Sequence, residues 1–161
     1  MTPLVFKLLL AVVTFFALTF VSGVTGFLFA IWPTSIGDKS LNITPSTLSA
    51  LRNLQSERKF VEDLPNHYPG APDEVIRTVA QSAVDSLLED LIRELPSKPQ
   101  RSFVLKRIKA TLSTFELADS EERDQLLSYC ERILATVGIE SSSELFNVWR
   151  YGFPYGWLNR A

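Results

Sequence analysis

PDEVIRTVAQSAVDSLLEDLIREL, residues 72 to 95, decides the fold. Val75, Ile76, Val79, Ala80, Ala83, Val84, Leu87, Leu88, Leu91, Ile92 and Leu95 recur at spacings of three and four, the period of a helix with one apolar side. The stripe is wide enough to touch two neighbours at once, so this helix is expected at the centre of a bundle. Pro72 suits a first helical turn, Asp73 and Glu74 favour the positive end of the helix dipole, and Pro96 stops the run.

Upstream, Leu64 to Ala71 holds two prolines and a glycine and breaks the chain. Before it, Ser46 or Thr47 can cap a helix running to about Glu62, with Leu48, Leu51, Leu54 and Val61 on the inner side. Downstream, Ser97 and Pro99 open a helix whose one apolar face is Val104, Leu105, Ile108, Leu112 and Phe115. Asp119 and Glu122 have capping-box spacing ahead of a helix carrying Leu126, Leu127, Cys130, Ile133, Leu134 and Val137, which Gly138 closes as a left-handed cap. Ser141 and Glu144 repeat that spacing before a short aromatic helix, Leu145 to Tyr151, stopped by Gly152 and Pro154. No β-branched run alternates at period two, and no repeat or low-complexity tract occurs. The expected class is all-α: over residues 46–161, a compact bundle of four longer helices and a short aromatic carboxy-terminal helix.

Leu8 to Trp32 runs for 25 positions without a charged side chain. A helix of that length spans roughly 37 Å against a hydrocarbon core of about 30 Å, so it reads as a transmembrane anchor, residues 1–32, in contact with the lipid bilayer over residues 8–32. A cleaved signal needs a shorter apolar run of about 7 to 15 residues. Trp32 suits the membrane interface, and residues 33–45, rich in Pro, Ser, Thr and Gly, read as a linker. Lys7 and the terminal amine face Lys39 across the segment, nearly a tie. We read the amino terminus as inside, giving a single-pass bacterial inner-membrane protein with a periplasmic bundle.

Lys7 is the only charged residue before Asp38, so residues 33–161 hold 15 basic against 18 acidic groups, a balance that argues against nucleic acid as a partner. Cys130 and His67 are the only residues of their kinds, so no Cys/His zinc site can be completed, and no metal or other cofactor is expected. Cys130 lies on an apolar stripe, where a free cysteine acts as a small hydrophobe rather than a nucleophile. Asp119, Glu121, Glu122 and Asp124 lack the ligand spacing of an EF-hand and sit at a helix start, where carboxylates are stabilised. Ser141, Ser142 and Ser143 have no glycine elbow, and there is no Gly-rich phosphate loop. Lys98, Arg101, Lys106, Arg107 and Lys109 form the only basic cluster, read as solvated cover for a bundle helix.

One series stands apart: Asp119-Ser120-Glu121-Glu122-Arg123, Tyr129-Cys130, Gly138-Ile139-Glu140-Ser141-Ser142, then Leu145, Asn147, Trp149 and Tyr151-Gly152. It resembles an uncharacterised family of small bacterial helical proteins grouped as a domain of unknown function. The resemblance covers roughly Leu48 to Phe153 and is carried mainly by residues 119–153. It implies no activity, cofactor or catalytic residue.

Phe146, Trp149, Tyr151, Phe153, Tyr155 and Trp157 place six aromatic residues in twelve positions. Phe146 and Trp149 have the spacing of a core face. The tail either packs across the bundle and seals it or presents an aromatic patch, and Trp149, Tyr151, Phe153, Tyr155 and Trp157 are the candidate interaction surface. The functional expectation is a membrane-tethered, non-catalytic helical binding module that uses this tail or a groove between helices, with an unidentified protein as partner. Its rivals are a structural subunit of a larger membrane complex and a membrane-anchored hydrolase working from Asp and Glu. The hydrolase requires two carboxylates with raised or coupled titration in one pocket.

Overall fold

The computed structural model describes residues 3–152. Its helices are α1 (Pro3–Ile31), α2 (Pro45–Ser56), α3 (Glu74–Glu94), α4 (Arg101–Ser113), α5 (Ser120–Thr136) and α6 (Leu145–Tyr151), and no strand occurs among the described residues. The fold is all-α, as the sequence predicts. Lys7–Phe27 of α1 is long and apolar enough to cross a membrane, a property that signal sequences share, and none of it is buried.

The period read in residues 72–95 places α3 at the centre, packed against α2, α4 and α5. Ala80, Val84, Leu87, Leu88, Leu91 and Leu95 are buried. They meet Leu51 and Leu54 of α2, Val104, Leu105, Ile108 and Leu112 of α4, and Leu126, Cys130 and Ile133 of α5 in one core. The helix starts at Asp73, whose carboxylate accepts from the Ile76 amide at 2.8 Å. Gly138, at φ +74°, ends α5 as expected, with the Ile139 amide donating to the Leu134 carbonyl.

The stripe on α3 is only partly core, however. Val75, Ile76 and Val79 are exposed. With 21 residues α3 is about 31 Å long, whereas the 13 residues of α4 span about 20 Å, so the first two turns of α3 overhang the neighbour they were expected to touch.

The helix expected to run to Glu62 stops at Ser56, and Val61 is exposed. Its cap is Thr44, which forms a capping box with Thr47. Lys59 causes the stop. Its fully buried ammonium donates to the carbonyls of Gln55 at 2.9 Å and Glu57 at 3.0 Å and to Asp85 Oδ1 of α3 at 2.6 Å. Those bonds satisfy carbonyls that an ending helix leaves open. Phe60 then turns the chain at φ +56°.

Neither of the two later capping boxes forms. Asp119 precedes α5 without a side-chain cap, and Glu122 is buried, accepting a 3.5 Å hydrogen bond from Tyr68 Oη. Before α6, Ser143 and Glu144 both adopt positive φ, a conformation incompatible with a serine cap there. That loop is held by Arg101, which donates to the Ser141 carbonyl at 3.2 Å and to Ser143 Oγ. Arg101 is therefore a buried structural residue, not solvated cover like the rest of its cluster.

Residues 38–41 fasten to the start of α4. The Asp38 carboxylate accepts from the Ser102 amide at 2.7 Å and the Ser102 hydroxyl at 2.6 Å, and the Leu41 amide donates to the Pro99 carbonyl. Desolvation pushes the Asp38 carboxyl up, but its hydrogen bonds from Ser102 and the Lys39 amide outweigh this and hold it below its ordinary value. A depressed folded-state value contributes stability above the unfolded value, near pH 3.9, and loses it as pH falls through the folded one. Asp38→Ala is accordingly expected to cost about 0.5–2 kcal/mol at pH 7, as for other capping carboxylates. The deficit should shrink as the pH is lowered below 4 in a series of urea melts.

Candidate functional site

The same contacts give the bundle two distinct ends. Asp38 and Leu41 meet the start of α4. Lys39 to Asn42 lie beside Ala135 to Gly138 at the end of α5. The chain leading from α1 therefore joins at this end. The ends of α4 and the starts of α3 and α5 form the opposite end, about 20 Å away along α4.

At that remote end an open groove of about 460 Å³ is lined by Val75, Ile76, Val79, Ala80, Ala83, Thr114, Phe115, Ala118 and Glu122. The overhang of α3 creates it: one wall is the uncovered stretch of the apolar stripe, the other the α4–α5 connection. Val75 is 73 % exposed and Val79 66 %, and Leu117 in that connection is fully exposed. Covering one such aliphatic side chain is worth about 1.5–3 kcal/mol, so this uncovered set is the candidate site. Glu122 brings a carboxylate to the edge of this apolar floor. Sequence periodicity cannot find the groove, because Val75 and Val79 carry the same signal as the core residues below them.

Of the aromatic surface expected from sequence, Trp149 and Tyr151 are described, while Phe153, Tyr155 and Trp157 lie outside the described residues. Trp149 is half-buried rather than a full core residue. The Arg123 guanidinium lies over its ring at 4.5 Å, and its buried indole nitrogen has no hydrogen-bond partner among the described residues. Tyr151 is exposed. Arg150 is paired with Asp124 of α5, while α6 itself packs against α4.

The remaining candidates have structural roles. Cys130 is fully buried, and desolvation followed by the Glu131 charge pushes its thiol up to about 12, the reverse of what a nucleophile needs. His67 is an exposed loop residue at φ +58°, closing the 3-10 turn Leu64–Asn66. Among the described residues no three His, Cys, Asp or Glu side chains gather where they could hold a metal ion. The displaced carboxyls are Asp38, Glu74, Glu94 and Glu121, and all four are held low. The Arg77 hydrogen bond holds Glu74, the Lys98 hydrogen bond holds Glu94, and the backbone amide of Glu121 holds its own side chain. A general acid would be displaced upward.

A larger depression of about 680 Å³ lies between the end of α5 and the start of α6, where Glu131, Glu140 and Glu144 mix with Leu134, Ile139 and Phe146, without a basic residue. Its lining is mixed, whereas that of the other groove is mainly apolar. In the basic cluster, Lys98 pairs with Glu94 and Arg107 with Asp90, and both cations face the Phe103 ring.

The family model described as a domain of unknown function (DUF4844) matches residues 42–154, taking in the whole stretch that carries the resemblance in the sequence. No curated protein and no solved structure matches the chain.

Proposed function

We propose, for a chain that belongs to the family of the domain of unknown function DUF4844, that it is a membrane-tethered, non-catalytic interaction module whose binding surface is the apolar groove at the start of α3. The observation that carries this reading is the exposure of Val75, Ile76 and Val79 at the end of the bundle farthest from the chain leading out of α1. In this reading α1 holds the protein in the bilayer, with Lys7 on the inner side, and the bundle carries its groove away from the membrane that anchors it. The occupant is a protein segment with apolar or aromatic side chains. Aliphatic walls and a single carboxylate suit such a segment, whereas a phosphate or nucleic acid would need basic residues that the groove lacks.

The test is crosslinking in intact membranes followed by affinity purification of the full-length protein, its Val79→Lys variant, and Leu64→Lys as a control at an exposed leucine outside the groove. The expected result is a set of crosslinked segments recovered with wild type and Leu64→Lys and lost with Val79→Lys. Equal recovery from all three would reject the groove as the binding surface.

A further inference from the structure

The groove at the start of α3 does not end at Ala83 and Thr114. Both residues also line a second depression of about 340 Å³, which continues between α3 and α4 along Ser86, Leu87, Ala110 and Thr111. The joined trough runs from Val75 to Asp90. At about 1.5 Å per residue of α3 it is about 22 Å long, roughly four helical turns. Its middle is floored by short side chains, Ala83, Ser86, Ala110, Thr111 and Thr114. Short floor residues let a third helix reach the ordinary axial separation of about 8–10 Å.

Hydrogen bonding favours a helix over an extended segment. Both walls are helices, whose backbone groups pair internally, and the Thr111 and Thr114 hydroxyls donate to the Arg107 and Thr111 carbonyls of α4. A strand laid here would bury amide and carbonyl groups without partners, whereas a helix pairs its own. Charge sets the direction. At the far end Asp90 and Arg107 pair at 3.3 Å, and Arg93 also pairs with Asp90. At the near end the buried Glu122 carboxylate has no ion pair among the described residues and accepts one long hydrogen bond, at 3.5 Å from Tyr68 Oη. A carboxylate so placed is matched by a cation. We propose that the trough seats one amphipathic helix of a partner protein, about four turns long, with small or aliphatic residues along its buried seam and a lysine or arginine at the end that meets Glu122. The proposal rests on the reading of the groove as a binding surface.

The test places a photoreactive diazirine side chain singly at positions 75, 86 and 64 of the full-length protein and irradiates it in its membranes, with mass spectrometry of the adducts. Val75 and Ser86 are exposed in the trough, and Leu64 is the exposed control outside it. Positions 75 and 86 lie about 16 Å apart along α3. The expected result is adducts from both on a single segment of one partner, at residues about 11 apart, the helical spacing for that distance. Adducts about five residues apart, the spacing of an extended chain, overturn the proposal. Adducts from position 75 alone also overturn it while leaving the binding reading intact. Adducts with this same chain overturn a partner helix as the occupant. Yields at 75 and 86 no higher than at 64 remove both the helix and the reading beneath it. The recovered segment, made as a synthetic peptide, is then titrated against the full-length protein and its Glu122→Gln variant in lipid nanodiscs. That substitution keeps the shape of the side chain and removes its charge. Binding is expected to weaken about tenfold in the variant, and unchanged affinity overturns the basic residue at that end.

Discussion

Asp85→Ala is expected to reduce the unfolding free energy by about 3–5 kcal/mol, a large share of the roughly 5–15 kcal/mol that holds a domain of this kind together. The Lys59 ammonium is completely removed from water, and Asp85, at 2.6 Å, is its single anionic partner among the described residues. Two backbone carbonyls complete its hydrogen bonding but carry no charge to balance it. Removing the carboxylate leaves a buried cation uncompensated, which costs more than the bond itself contributes. Lys59→Met is expected to be milder, because it removes the charge that needs a partner while Asp85 keeps the Gln81 amide as donor. Urea unfolding of the full-length chain in detergent micelles reads both. A loss below 1 kcal/mol for Asp85→Ala, or a Lys59→Met variant less stable than Asp85→Ala, would contradict this account of how α2 ends.

Phe60→Ala is expected to cost about 3–5 kcal/mol by the same measurement. The ring is fully buried, stacked on Phe115 at 5.9 Å and flanked by Tyr129 at 5.3 Å and Tyr68 at 6.4 Å between centroids. Truncation opens a cavity among three aromatic rings that cannot easily collapse. The backbone there is costly for a side chain, at φ +56°, and is kept by hydrogen bonds from the Phe60 amide to Tyr129 Oη and from the Ala71 amide to the Phe60 carbonyl. An effect under 1 kcal/mol would mean that this aromatic cluster is not the keystone joining the residue 57–72 loop to α5.

What could be read in advance divides by the range of the interaction that decides it. α6 starts at Leu145 and ends at Tyr151 as read, because Gly152 acts on its immediate neighbours. α3 is central as read, because eleven apolar residues share one period. The end of α2 was not legible: Lys59 terminates it through Asp85, 26 residues further on. The same holds for the loop before α6, where Arg101 acts from 40 residues away and overrides the local capping pattern of Ser141 and Glu144. Glu122 looked like a cap and instead sits under Tyr68, 54 residues earlier.

The candidate site follows the same division. Trp149 and Tyr151 are legible as aromatic residues at a helix end, and the structure sets the Arg123 guanidinium over Trp149 and leaves Tyr151 exposed. The groove itself was hidden, since a helical period reports which side of a helix is apolar and not how far the neighbouring helix extends to cover it. The 21 residues of α3 against the 13 of α4 leave Val75 and Val79 bare, and only the packed lengths show this.

The most direct measurement places a photoreactive amino acid at position 79 of the full-length protein in its membrane, with position 64 as the exposed comparison site. The account predicts adducts with a protein segment from position 79 and few from position 64. Equal yields from the two positions, or adducts from position 79 with lipid alone, would contradict it.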